Sequence, residues 1–251
     1  MPAGTVAGRE VRVQGESAAL AKAGAAGAAG ASRALVLGIG NVLWADEGFG
    51  VRAVEALHDA WALPSNVTLM DGGTQGLILL PEVTAHTHVL VFDAIDFNDA
   101  PAGLRVLRDR EVPAWAGAKM SLHQQSFMEL LAIAEVQDRF PAHLTLIGVQ
   151  PERLMDFGGS LSASVRERLP QAVALAIEQL TQWGYAPERR TAPPAERLND
   201  RALGLEDYER GRPPAELACR VGDARFLNIR HAIEQGGGAQ AATALSAHEG
   251  Q

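Results

Sequence analysis

The stretch Ala34 to Val51, with the sequence ALVLGIGNVLWADEGFGV, decides the fold of this chain. Its apolar beginning is typical of a buried β-strand, and the two glycines that follow predict a tight turn. The acids Asp46 and Glu47 come next, and an amphipathic helical pattern begins directly behind them. Because a helix N-terminus favours negative charge, we expect both acids near the start of that helix. Ligands bind at the carboxyl ends of the strands in open α/β sheets, so this stretch also predicts where the site lies.

Strand and helix patterns alternate along the next 150 residues. Apolar runs predict further strands at 66–70, 88–93, 104–107 and 144–149. Helical spacing of apolar residues predicts helices at 49–61, 75–83, 126–136 and 161–183. Such alternation is typical of a parallel sheet with helical crossovers. We therefore expect an α/β fold of three layers: a doubly wound, mostly parallel, twisted sheet flanked by helices.

The two ends of the chain differ in composition from its middle. Residues 1–32 are rich in Ala and Gly and have little apolar surface to bury, so we predict a disordered leader there. Residues 33–185 form the predicted α/β domain. In 186–251 prolines and mixed charges break up any regular element, which predicts an irregular C-terminal extension. That extension could cover part of the site, bind a partner or stay disordered.

Composition excludes several classes of function. The chain has 251 residues and a net charge of −8, which argues against binding to nucleic acid. Its one cysteine, Cys219, cannot form a disulfide within the chain and fits a reducing compartment. No apolar stretch is long enough to span a bilayer, so we expect no membrane insertion. These features together predict a cytoplasmic protein.

A dinucleotide-binding unit is one interpretation of the first turn. Gly38 and Gly40 follow a predicted strand, and Asp71 ends the next strand, where a ribose-binding acid would lie. Position 43, where the fingerprint needs its third glycine, is Leu43. The acids ahead of the helix would also repel a pyrophosphate. An NAD(P)-binding dehydrogenase is therefore the weakest of the alternatives.

Acidic residues near the predicted strand ends offer a second interpretation. Glu47, Asp71 and Asp93 would lie along one rim of a parallel sheet, and His123, in the loop before the next helix, could reach that rim. One imidazole and two carboxylates form a reasonable ligand set for zinc, nickel or iron. Each residue also has a structural explanation, as a helix-terminal acid, a turn cap or a loop histidine. The spacing by itself does not choose between these explanations.

Four sequence blocks resemble those of a known family. GIGNVLWADEGFGVR, DGGTQG, VFDAID and KMSLHQ, in this order, are similar to the hydrogenase maturation endopeptidases, in particular to the branch that serves uptake hydrogenases. The resemblance covers 33–183. It implies an α/β sheet fold, and it implies that Glu47, Asp93 and His123 are the metal-binding and catalytic residues. The block Asp71, Gly72, Gly73 and Thr74 is implied to bind substrate.

The resemblance also implies a reaction. It is that of an endopeptidase of aspartyl or metal-dependent type, which removes the C-terminal extension from the nickel-loaded precursor of a nickel–iron hydrogenase large subunit. Nickel would be supplied by that precursor, and no organic cofactor is expected. The metal could polarise the scissile carbonyl, activate water or only dock the substrate. A non-catalytic chaperone that binds the nickel-loaded precursor would use the same ligands and remains an alternative.

Overall fold

The computed structural model describes residues 32–115 and 122–212, with the backbone alone at 114, 115, 122 and 123. The predicted leader at 1–32 lies outside the described residues apart from Ser32, and so does the extension beyond Arg212. Within the described part, no helix is both long and apolar enough to cross a membrane.

Strands and helices alternate through the described part. The strands are β1 (Ala34–Ile39), β2 (Trp61–Ala62), β3 (Val67–Gly73), β4 (His88–Ala94), β5 (Leu104–Arg108), β6 (His143–Val149) and β7 (Glu188–Arg189). The α-helices are α1 (Phe49–Ala60), α2 (Leu80–Ala85), α3 (Glu111–Trp115), α4 (Leu122–Val136), α5 (Ala163–Arg166), α6 (Leu169–Gln182) and α7 (Leu205–Gly211). Short 3-10 turns occupy Ala45–Gly48, Gly76–Leu79 and Arg201–Leu203.

Five strands form the central sheet, in the order β3-β1-β4-β6-β5. The first four run parallel, and β5 pairs with β6 in the antiparallel direction at the edge. One face packs against α1 and α6, and the other packs against α2, α3 and α4. The predicted three-layer, mostly parallel sheet is therefore confirmed. The strands β2 and β7 form a separate two-stranded ribbon.

Helix α1 approaches the sheet closely because two glycines face each other at its N-terminal end. A Cβ atom on Gly50 would lie 2.1 Å from the Ile39 carbonyl oxygen and 2.3 Å from that of Phe92. A Cβ atom on Gly38 would lie 2.4 Å from the Gly50 carbonyl oxygen. Only glycine fits these contacts, so the start of α1 lies directly over the ends of β1 and β4. Phe49 is fully buried beneath it.

Three predicted boundaries are wrong. Strand β3 continues to Gly73, beyond its predicted end at residue 70, because Gly38 pairs with Asp71 and Ile39 pairs with Gly73 across a bulge. His123 lies inside α4 instead of in a loop before it. The predicted helix at 161–183 divides into α5 and α6, and α6 begins with Pro170 in its first turn, where a proline is tolerated.

The first part of the C-terminal extension is more regular than predicted. It contains β7, a 3-10 turn and α7 in spite of its prolines. The strand forms because β2 supplies its partner, with Trp61 opposite Arg189 and Ala62 opposite Glu188. Long-range pairing of this kind leaves no periodic signal in so short a segment.

Candidate active site

The carboxyl ends of the parallel strands β1, β3 and β4 lie side by side, and together they form what we call the C-terminal edge of the sheet. Gly38 in β1 lies opposite Asp71 in β3 and, on its other side, opposite Phe92 in β4. Asp93 is the next residue of β4 and lies opposite Gly148 in β6. Asp71 and Asp93 therefore lie near the carboxyl ends of the two strands that flank β1, as the sequence predicts.

The side chains of these two acids point to opposite faces of the sheet. Successive residues of a strand alternate between faces. Asp71 follows Val67 on the face that packs against α1, whereas Asp93 follows Val89 and Val91 on the face that packs against α4. The two carboxylates thus share an edge of the sheet and do not converge on one point.

Asp93 is buried, with only 3% of its surface exposed, and is held by hydrogen bonds on both oxygens. Its Oδ1 accepts from the Ala94 backbone N–H over 2.8 Å, and its Oδ2 accepts from Gln124 Nε2 over 3.1 Å. The same Gln124 amide also donates to the Ala94 carbonyl over 2.6 Å. Gln124 lies in the first turn of α4. These bonds fasten the start of α4 to the end of β4.

His123 is the residue directly before Gln124, so its backbone lies in the helical turn that is fastened to Asp93. Its side chain lies outside the described part of the structure. Among the side chains that are described, no group of three or more His, Cys, Asp or Glu residues could hold a metal ion. The three-ligand set of Glu47, Asp93 and His123 therefore stays a prediction.

Glu47 lies in the 3-10 turn Ala45–Gly48, which packs against β4 immediately before α1. Its backbone N–H donates to the Trp44 carbonyl, and its carbonyl accepts from Asn41 N–H over 3.1 Å. Gly40 adopts a φ of +141°, and a Cβ atom there would lie 1.9 Å from the Glu47 carbonyl oxygen. Ala45 has a φ of 41°, in the left-handed region that costs free energy for residues other than glycine. The half-buried Glu47 is therefore held by a tightly constrained backbone.

Asp46 has a structural role that the sequence did not predict. It is fully buried, and its carboxylate accepts four hydrogen bonds. The donors are the backbone N–H groups of Glu152, Arg153 and Ser162 and the Ser162 hydroxyl, at 2.7–3.0 Å. Asp46 thus anchors the loop after β6 to the turn that carries Glu47. Two adjacent acids at a helix start were visible in the sequence, but their different roles depend on a loop about 110 residues away.

Asp71 is held in a network on the α1 face. Its Oδ1 accepts from Gly73 N–H over 2.8 Å, and its Oδ2 accepts from Asn199 Nδ2 over the same distance. Burial raises the pKa of the Asp71 carboxyl, while the bonds from Gly73 and Asn199 and the charge of Arg52 oppose that rise. The Asp71 carboxylate therefore binds the backbone of Gly73, two residues further along the same block that was predicted to bind substrate.

Apolar side chains are exposed around the same edge of the sheet. They belong to loops that follow β1, β3 and β6, and they are Leu43, Leu77, Ile78, Met155 and Phe157. Trp44 packs edge-on against Phe157, with ring centroids 5.3 Å apart. We call these five exposed residues the apolar rim. Exposed apolar groups gathered near one edge commonly mark a surface that binds another molecule.

Comparison with known proteins identifies the class to which this fold and edge belong. A family model described as hydrogenase maturation protease matches residues 51–179. The chain belongs to the hydrogenase maturation protease family, and it is a peptidase. This membership favours the peptidase over the dehydrogenase and the chaperone considered from the sequence.

Individual relatives agree with this membership. The chain is 51% identical over 196 residues to the hydrogenase expression/formation protein HupD of Thiocapsa roseopersicina, covering 77% of this chain and 89% of that protein. It is 52% identical over 194 residues to HoxM of Azotobacter vinelandii, covering 77% and 93%. The solved structure of the hydrogenase maturating endopeptidase HybD from Escherichia coli superimposes with a TM-score of 0.61 at 38% identity, covering 63% of this chain and 98% of HybD.

Proposed function

We propose that this peptidase removes the C-terminal extension from the nickel-loaded precursor of a nickel–iron hydrogenase large subunit. It would do so in the cytoplasm, as a member of the uptake-hydrogenase branch. Identity of about half the aligned residues to HupD and HoxM supports that branch. One observation carries the assignment of the site. The Gln124 amide joins buried Asp93 to the helical turn that contains His123.

Nickel in this proposal is part of the substrate. Glu47 and Asp93 offer carboxylate oxygens and His123 offers an imidazole nitrogen, a mixed set that suits a divalent first-row metal. A precursor that already carries nickel would complete the site by bringing the ion to these three side chains. The protease could then distinguish a nickel-loaded precursor from an empty one by binding. Docking of the metal is thus the role we assign to the three residues.

The polypeptide of the precursor would extend across the apolar rim. Leu43 and Phe157 lie beyond β1 and β6, and Leu77 and Ile78 lie beyond β3, on loops that leave the edge where Glu47 and Asp93 are found. The block from Asp71 to Thr74 ends β3 at the same edge. Exposed apolar patches are typical of surfaces that bind another protein, which supports a polypeptide substrate.

The test is precursor cleavage, measured as the intact mass of the large subunit after incubation with the purified protein. Nickel-loaded and nickel-free precursor are compared side by side. We expect loss of a C-terminal peptide from the nickel-loaded form alone. Equal cleavage of both forms would remove nickel from the recognition step. Binding of the precursor without any loss of mass would favour the chaperone.

Variants of the three residues test the ligand assignment. Glu47→Gln, Asp93→Asn and His123→Ala should each abolish cleavage while the circular dichroism spectrum stays unchanged. His143→Ala is the matched control, because His143 is an exposed histidine at the start of β6 and therefore lies at the amino-terminal ends of the parallel strands, away from the site. Normal cleavage by His123→Ala would refute the assignment.

A further inference from the structure

The C-terminal segment, defined here as residues 187–212, folds back over the face of the sheet that packs against α1. Arg190 Nε donates to the carbonyls of His58 and Trp61 over 3.0 and 3.1 Å. At the far end of the segment, Glu209 forms an ion pair with Arg166. These contacts hold the segment against the domain at both ends. Its middle contacts the N-terminal half of α1, where Arg52 donates a hydrogen bond to the Leu203 carbonyl.

At the middle of the segment, Asn199 reaches the candidate site. Its Nδ2 donates to Asp71 Oδ2 over 2.8 Å and to Glu55 Oε1 over 3.0 Å. Glu55 also pairs with Arg52 over 2.8 Å. An amide nitrogen carries two hydrogens, so one neutral group satisfies one oxygen of each carboxylate. Without it, two acids would face each other with Arg52 as their nearby cation.

The hydrogen bond from Asn199 to Asp71 affects the backbone conformation at the C-terminal end of β3. Asp71 uses its other oxygen to accept from Gly73 N–H, and Gly73 has a φ of 45°. The carboxylate therefore links the C-terminal segment to the backbone of the block that follows. Because burial raises the pKa of Asp71 and the Asn199 donor opposes this, the amide also favours the charged carboxylate that accepts from Gly73.

From these contacts we infer that Asn199 is a positioning residue for the proposed reaction. Through Asp71 it holds Gly73, the last residue of β3, and the turn that begins at Thr74 in the conformation that receives the precursor chain. The C-terminal segment thereby controls how tightly the precursor binds. This inference rests on the proposed function, and it assigns Asn199 no contact with the reacting atoms.

The experiment uses the full chain and nickel-loaded precursor. In Asn199→Ala, the KM for the precursor should rise about tenfold, as expected for losing a hydrogen bond to a charged group, while kcat stays within about twofold. Hydrogen exchange at the Gly73 amide, followed by NMR, should quicken in the same variant. Asn199→Asp keeps the side-chain volume but directs a third carboxylate at Asp71 and Glu55, so its KM should rise further.

Glu196→Gln is the matched control, because Glu196 is exposed in the same segment. It should leave both readouts unchanged. Wild-type cleavage with an unaltered KM and Gly73 exchange in Asn199→Ala would overturn the inference. A fall in KM would also overturn it, since the segment would then obstruct the site. If the wild type cleaves no precursor at all, the proposed function fails, while Gly73 exchange still tests the positioning contact.

Discussion

The side-chain amide of Gln124 donates to both Asp93 Oδ2 and the Ala94 carbonyl, at 3.1 and 2.6 Å. One neutral side chain thus orients a buried carboxylate and fastens helix α4 to the end of strand β4. Residues that orient the proposed metal-docking acids should therefore matter nearly as much as the acids themselves.

Gln124→Ala should lower cleavage of nickel-loaded precursor by about 10- to 100-fold, the range found when a group that orients a metal ligand is removed. The Asp93 carboxylate would lose one donor, and the start of α4 would lose its link to β4. The rate is measured as the fraction of precursor trimmed with time. Gln125→Ala, at the exposed neighbouring position, should cleave at the wild-type rate. Equal rates in both variants would contradict the orienting role.

Asp46→Asn should destabilise the protein by about 3 kcal/mol. The carboxylate accepts hydrogen bonds from backbone N–H groups, and the amide nitrogen that replaces one of its oxygens would point at such a group without accepting a bond. The affected donors lie on Glu152, Arg153 and Ser162. Urea denaturation measures the free energy of unfolding. Asp59→Asn, at an exposed position of α1, should change it by less than about 0.5 kcal/mol. A small effect of Asp46→Asn would show that the loop after β6 is anchored by other contacts.

Gly50→Ala should cost about 3 kcal/mol, since its Cβ would lie 2.1 Å from the Ile39 carbonyl oxygen and force α1 away from the sheet. The same substitution at Gly211 should have the opposite effect and raise the free energy of unfolding. Among the described residues, no atom outside the helix's own backbone lies within 4 Å of a Cβ at that helical position, and alanine is the better helix former, so a gain of about 0.5 kcal/mol is expected. Thermal and urea unfolding of both variants give the comparison. A neutral Gly50→Ala would mean that the helix can shift without loss.

Stability should fall as the pH drops below about 6.5, the ordinary pKa of an imidazole. Burial and the nearby His143 lower the pKa of His88 in the folded protein. The unfolded chain therefore binds the proton first, and folding loses stability from about pH 6.5 down to the lowered folded pKa. His88 is also contacted by the neutral groups Thr87, Tyr185 and Trp183.

The free energy of unfolding, measured between pH 7.5 and 5, should decline less steeply in His88→Gln than in the wild type. His143→Gln should also reduce the slope, but by less, because burial is the larger cause of the shift at His88. An identical slope in the wild type and His88→Gln would show that another group governs stability in this range.

The sequence by itself determined the sheet and the edge at which the site lies. Alternating apolar runs and helical patterns require a layered fold, because each element must bury one face against the next. The glycines and acids between Gly38 and Gly50 likewise predicted a strand, a tight turn and a helix. Asp93 could be placed at a strand end because its apolar run is short and uninterrupted.

Only the tertiary structure decided what each acid does. Asp46 and Glu47 are neighbours in sequence, yet Asp46 is buried among donors from the loop after β6 while Glu47 stays half-buried. Asp71 meets Asn199 across 128 positions of chain. Hydrogen bonds between such distant residues are created when the chain folds, and neither local propensity nor hydrophobic period records them. The sequence therefore predicted at which end of the strands the site lies, and long-range packing determined the hydrogen-bond partners of each carboxylate.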